Sequence, residues 1–293
     1  MEKRARFQSR WLPFLLVAPQ IAVTVIFFFW PAGQALYYSL LVQDAFGTNT
    51  QFVWFENFTD LFRNADYVNS FRTTAIFSVS VTVLGLTISL VLAVFADRVI
   101  KAASVYKALL IWPYAVAPAV AAVLWLFLLS PTLGIVAHWL EWLGIEWNPL
   151  LNGTDALILV IVAAVWKQIS YNFLFFLAGL QSIPKSLIEA AAIDGAGPVR
   201  RFFTIVFPLL SPTTFFLLVI NIVYAFLETF AIVDVSTGGG PARATEILVY
   251  KLYYDGFKGL DLGGSAAQSV VLMVIVVTLT VAQFRFVEKK VQY

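Results

Sequence analysis

Seven side chains sit where chemistry could be built inside otherwise apolar stretches. Lys167, Gln168, Tyr171 and Asn172 lie in one stretch, and Asn221, Tyr224 and Glu228 in another. An ammonium group in such surroundings could draw an anion, while amides and phenols could hydrogen-bond a polyhydroxyl compound in passing. On a helix Lys167, Ser170 and Tyr171 share one face, and Gln168 and Asn172 share another. Asn221, Tyr224 and Glu228 follow an i, i+3, i+7 stripe. Each group also has a purely structural reading. Lys167 could pair with Glu228 or extend toward an aqueous interface, and Glu228 would repel an anionic solute.

Other chemistries are poorly equipped. The chain has no Cys, so a disulfide framework, an iron–sulfur cluster and a thiolate zinc site are excluded. A single histidine, His138, rules out an H-E-x-x-H metal site, and no metal site is expected. Glu141 follows His138 by three residues, a pair too sparse for acid–base work. No G-x-x-x-x-G-K-[ST] loop is present to hold ATP. A formal net charge of +2 gives no footprint for nucleic acid. A membrane enzyme acting on lipid remains a distant alternative.

The elements that must position these residues are membrane spans. Hydrophobic residues make up 60% of the 293 residues and charged residues 12%. A soluble domain carries roughly 25% charged residues, and here the apolar residues fall in long blocks. Six stretches are long enough to cross a bilayer: Leu12–Tyr38, Phe71–Ala96, Tyr106–Leu129, Ala156–Leu180, Pro212–Val233 and Ala266–Val287. They must be helical, because lipid offers backbone groups no partners. The class is therefore an all-α membrane protein with six transmembrane helices in one domain spanning residues 1–293. Pro113 and Pro118 interrupt the third span, as a packing kink or as the lining of a cavity.

Lys and Arg set the direction. With the N-terminus cytoplasmic, the inner segments hold Lys3, Arg4, Arg6, Arg10, Arg98, Lys101, Lys107, Lys185, Arg200, Arg201, Arg285, Lys289 and Lys290. The outer segments hold only Arg63, Arg72, Arg243, Lys251 and Lys258. Thirteen against five places both termini inside. The first span is too long for a secretory apolar region and reads as an uncleaved anchor. The outer loops at about 40–70 and 130–155 have room for short helices, and Gly238-Gly239-Gly240-Pro241 marks a turn in a third.

The inner loop at 181–208 stands apart. Ser186 with Glu189 forms a capping-box pattern, Pro184 suits a helix start, and Ala190, Ala191 and Ala192 favour helix. Gly195 can supply the left-handed residue that ends it. The pattern predicts a helix over Ser186–Asp194, about 14 Å long at about 1.5 Å per residue. Its small residues would let another surface approach closely. Physics alone leaves it open as a protruding knob or as a linker resting on the membrane.

Glu189-Ala190-Ala191, then Gly195 after three residues, Ile205 after nine more, and finally Phe207-Pro208 resemble the EAA loop signature of ABC importer permeases. That family usually has Leu where Phe207 stands, an exchange of one large apolar residue for another. The likeness extends through Ser9–Pro13, Leu15–Gln20, Pro113–Trp125, Trp166–Phe176 and Ser265–Met273, which are similar to the permeases of glycerol-phosphate importers. The resemblance implies a type I permease fold in the bacterial inner membrane, with both termini cytoplasmic. It implies a hetero-oligomer with a second, different permease, two ATPase subunits that bind ATP and Mg, and a periplasmic solute-binding protein. No cofactor is implied on this chain, and hydrolysis belongs to the partners. Glu189, Ala190, Ala191, Asp194, Gly195, Ile205 and Pro208 would then form the ATPase-coupling segment. The cargo implied is sn-glycerol-3-phosphate, with its diesters, translocated by alternating access. A sugar or disaccharide importer of the same class is the alternative.

Overall fold

The computed structural model describes residues 11–44, 48–98 and 103–287. Lys3, Arg4, Arg6, Arg10, Lys101, Lys289 and Lys290, counted above for orientation, lie outside them. Among the described residues five helices are long and apolar enough to cross a membrane: Leu12–Tyr38, Ala65–Asp97, Gly153–Ser182, Ser211–Glu228 and Leu262–Arg285. The third expected span differs. Ser104–Ala115 and Pro118–Leu128 are bent by 107° at their junction, so a continuous rod over Tyr106–Leu129 does not form. The reason is local. Val116 and Ala117 are extended, and Pro118 has no N–H to bond Tyr114 O.

By contacts the chain divides into two units. The first runs up to Arg63 and includes Leu252–Val271. It contains helix α1 (Leu12–Tyr38), with a π turn at Val25–Phe29. Strands β1 (Leu41–Gln43) and β2 (Thr50–Phe52) follow, paired antiparallel with Leu41 opposite Phe52. Helix α2 (Glu56–Arg63) is held by Asn57, whose Nδ2 donates to Ser39 O and Leu41 O, both at 2.9 Å.

The second unit comprises Asn64–Lys251 and the chain from Leu272 onward. Its elements in order are α3 (Ala65–Arg98), α4 (Ala103–Ile111), α5 (Pro118–Leu128), α6 (Ile135–Trp142) and α7 (Gly153–Ser182). Next come α8 (Lys185–Ile193), α9 (Pro198–Arg201), α10 (Ser211–Val223), α11 (Phe230–Ser236) and α12 (Leu248–Tyr253). Helix α13 (Leu262–Ala282) passes from the first unit into the second. The short helices expected in the outer loops are α2 and α6.

Small residues let the second unit pack. Ala163 and Ala164 of α7 and Ala122 of α5 are fully buried, beside Phe77 and Val81 of α3 and Ile232 and Val233 of α11. Without a hydrophobic drive between helices in lipid, such close approach gives dispersion its reach. Helix α7 starts from Asn152, whose side chain accepts from Thr154 N, and Asp155 lies in its first turn. One end of the unit carries a chain of alternating charge. Arg243 pairs with Asp66 and lies 3.9 Å from Glu246, which lies 3.9 Å from Lys251.

One polar contact lies deep in this core. Asn172 Nδ2 donates to Asn221 Oδ1 at 3.0 Å, and Asn221 Nδ2 returns the bond to Asn172 Oδ1 at 2.7 Å. Both are fully buried, and a Cβ on Gly85 of α3 would lie 3.4 Å from each, so the glycine leaves room for the pair. Asn172→Ala and Asn221→Ala should each lower stability by about 1 kcal/mol in the membrane. The double variant should lose clearly less than the two losses added. Thermal inactivation midpoints of the three purified variants test this, and strict additivity would refute the pairing.

Candidate functional site

Lys167 lies midway along α7 and is half-buried. Its Nζ donates to Val116 O at 2.9 Å and reaches Tyr114 O at 3.5 Å. The same ammonium stands 5.8 Å from the centre of the Tyr114 ring. The carbonyls it meets are those that the break before Pro118 takes out of the helical ladder. A charged donor thus satisfies them where water is scarce. The residues do hold a signal for this contact: a proline deep in a span frees a carbonyl, and a lysine deep in a neighbouring span is a ready donor. Among the described residues no ion pair within 4 Å joins Lys167 to Glu228.

The other residues divide by exposure. Gln168 and Asn172 are buried together, as their shared face requires. Tyr171 is half-buried and opens a row of rings, with Tyr114 at 6.0 Å, Phe175 at 4.8 Å, and Phe216 a further 5.1 Å on. Phe175 and Phe216 escape sequence reasoning, because an apolar ring in a span carries no mark of its own. Asn221 and Tyr224 are buried, and Tyr224 Oη donates to Ala164 O at 3.2 Å. Glu228 is exposed, so the expected stripe of three divides. A π turn over Tyr224–Glu228 is the cause: it adds a residue to the turn and rotates the residues beyond it. Ser170 also leaves the Lys167 face and is fully buried. His138 Nδ1 lies 2.8 Å from Gly134 O, at the start of its own helix.

The loop at 181–208 forms the expected short helix one residue earlier, as α8. The capping box does not form. Pro184 occupies the N-cap position, no side chain caps the helix, and Ser186 falls inside the first turn. The start is set instead by Leu187 N bonding Pro184 O at 3.1 Å. The end is as expected. Gly195 has φ +80°, its N–H bonds Ala192 O at 3.1 Å, and Ala196 N bonds Ala191 O at 2.9 Å. The paired bonds reverse the chain within two residues. Pro198 then opens α9, with Gly197 at the N-cap, and Arg201 Nη1 donates to Ile188 O at 3.4 Å.

This geometry leaves α8 standing proud. None of its residues is buried. Ile188 turns inward, against a cluster of Ile183, Val206, Leu210, Leu180, Leu90 and Phe202. Glu189, Ala190 and Asp194 are exposed, and Ile193 is 87% exposed. Ala191 and Ile205 are half-buried, and Pro208 lies in the turn that leads to α10. A cavity of about 340 Å³ opens beneath the helix, lined by Asp97, Ile188, Pro198, Arg201 and Phe202 among others. Chemically the arrangement is a rod with one greasy root and an open small-residue face, joined to α7 through the buried, extended Ile183. It can carry a displacement, and nothing in it resembles a reaction centre.

Known proteins are similar to this chain along nearly its whole length. The family described as the binding-protein-dependent transport system inner membrane component matches residues 9–293. The sn-glycerol-3-phosphate transport system permease protein UgpA of Rhizobium meliloti (strain 1021) is 62% identical over 291 residues, covering 99% of each chain. The protein of that name from Yersinia pestis is 60% identical over 290 residues, covering 99% of this chain and 98% of its own. Among solved structures, a bacterial alginate ABC transporter in complex with its alginate-pentasaccharide-bound periplasmic protein superposes with TM-score 0.81. It has 21% identity, over 93% of this chain and 92% of the other. The MetNI methionine ABC transporter superposes with TM-score 0.54 and 17% identity, over 81% and 99%. The fold is therefore that of ABC importer permeases, and this chain belongs to the binding-protein-dependent transport system inner membrane components.

Proposed function

We propose that this chain is a translocation subunit of an ATP-driven importer of sn-glycerol-3-phosphate, and of its diesters, in the bacterial inner membrane. The observation that carries the reading is 62% identity along the full length to a permease of that named system. Catalysis lies elsewhere: the chain transports, and ATP with Mg binds to two partner ATPase subunits. A second, different permease completes the pore, and a periplasmic solute-binding protein delivers the cargo. Both termini face the cytoplasm, in line with the distribution of Lys and Arg.

In this reading α8 seats in the ATPase through Glu189, Ala190, Ala191 and Asp194. Gly195, Ile205 and Pro208 shape the return. When ATP closes the ATPase pair, the rod moves with its socket. The α7–α10 unit, tied together by the buried Asn172–Asn221 pair, then tilts as one body, and access switches sides. Lys167, Tyr171 and Glu228, which are not buried, are proposed for the cargo path, whereas Gln168, Asn172, Asn221 and Tyr224 are buried behind it and act as its support. Lys167 is the cation on that path, and it also holds the Val116 turn. The row of Tyr114, Tyr171, Phe175 and Phe216 supports a second reading, a sugar or disaccharide as cargo, because ring faces suit sugar faces.

Two measurements on the reconstituted importer test this. In proteoliposomes, Glu189→Lys and Gly195→Pro should each cut uptake about tenfold or more, close to 1.4 kcal/mol of lost coupling, and remove cargo-stimulated ATP hydrolysis. Wild-type coupling in both would reject the role given to α8. Lys167→Gln should lower uptake of glycerol phosphate several-fold more than that of a neutral solute. Equal loss for both would assign Lys167 to holding the Val116 turn alone.

A further inference from the structure

Two short helices, α2 and α6, each carry an apolar stripe that their own packing leaves uncovered. In α6, Ala137 is buried and Val136 and Leu140 pack against the core. The other side presents Ile135, Trp139 and Trp142 at i, i+4, i+7. Trp139 is 67% exposed and Trp142 85%. His138 and Glu141 lie between the two sides. In α2, Asn57 and Leu61 are buried, while Phe58 and Phe62, with Phe55 just before the helix, line the adjoining side at i, i+3, i+7. Glu56, Asp60 and Arg63 take the third side. The three-sector pattern recurs in each of the two units taken by itself.

We infer that each stripe lies in the headgroup boundary of the outer leaflet, so that α2 and α6 are interfacial helices resting on the membrane. Chain connection limits each helix to that depth. Arg63 ends α2 and Ala65 begins α3, whose apolar run starts at Phe71, so α2 is tethered within about two helical turns of that run. A short link, Leu129 to Gly134, joins α5 to α6, and Trp147 Nε1 caps Leu129 O at 2.8 Å, which keeps the α6 loop drawn back on the end of α5. Ring type fits as well. Tryptophan favours this boundary, where its indole meets both acyl chain and water. Charge points to lipid packing rather than to ionic attraction. Between Ser130 and Asp155 there is no Lys or Arg, while Glu141, Glu146 and Asp155 are acidic. Anionic lipid therefore offers α6 nothing, and burial of apolar rings is its whole hold on the bilayer. Helix α6 would thereby set the height at which α5 of the same unit meets the membrane surface.

The chain has no Cys, so single nitroxide labels can be placed without background from it. The labelled sites are Phe62→Cys, Trp139→Cys and Trp142→Cys, with Asp60→Cys and Glu141→Cys as the polar-side references. Each full-length variant is assembled with Cys-free partner subunits in phosphatidylcholine nanodiscs. Collision rates are measured with oxygen, which concentrates in lipid, and with a water-soluble nickel chelate. Oxygen should dominate several-fold at 62, 139 and 142, and nickel at 60 and 141. Nickel dominating at all five sites would overturn the inference, since the stripes would then be in water. A strongly immobilised spectrum with both reagents excluded at 62, 139 and 142 would overturn it too, since a protein partner would then cover the faces.

Discussion

A carbonyl group inside a bilayer has no water to turn to, and the second unit is organised around one place where that rule is strained. Pro118 removes an N–H from the ladder, the chain extends through Val116 and Ala117, and the axis turns by 107°. The Lys167 ammonium takes up the carbonyls so released. A charge costs about 2.5–3.5 kcal/mol within a span on the insertion scale. Its hydrogen bonds to Val116 and Tyr114 and the Tyr114 ring offset part of that cost. The bend, the cation and the ring row at Tyr171 and Phe175 therefore form one arrangement. Removing the lysine would leave the turn without its charged donor and the Tyr114 ring without its cation.

The same economy of polar groups explains the rigid part. Asn172 and Asn221 bond each other in both directions, Asn221 Nδ2 also donates to Leu217 O at 2.7 Å, and Gly85 keeps α3 close enough to seal them. A pair of amides bonded in both directions fixes rotation as well as distance, so α7 and α10 can move together. Helix α8 extends from the end of α7 through Ile183 and is pinned back by Arg201. Its open face is a consequence of its shortness. A rod of nine residues has room for one inward anchor, Ile188, and leaves the remainder to a partner.

Much of this architecture is legible in the residues. Long apolar blocks bounded by charge identify the spans, because lipid leaves the backbone no alternative to helix. Gly195 announces the end of α8, since a left-handed residue with no Cβ penalty is what two reversing bonds demand. The start of α8 is harder to read. Ser186 with Glu189 matches a capping box, but Pro184 takes the cap position and moves the serine into the first turn. Local pattern names the residues that can cap, and the preceding backbone decides which one does.

Composition, the apolar blocks, the proline break and the spacing from Glu189 to Pro208 follow from the sequence alone, because each rests on near-neighbour chemistry. Tertiary structure decided what Lys167 touches, that Asn172 and Asn221 face each other, that a π turn carries Glu228 to the surface, and that Phe175 and Phe216 continue the Tyr171 row. These outcomes depend on the rotation of one helix against another and on a single extra residue in a turn. Such rotations are set by packing among residues far apart in the chain, where a periodicity of 3.6 no longer keeps count.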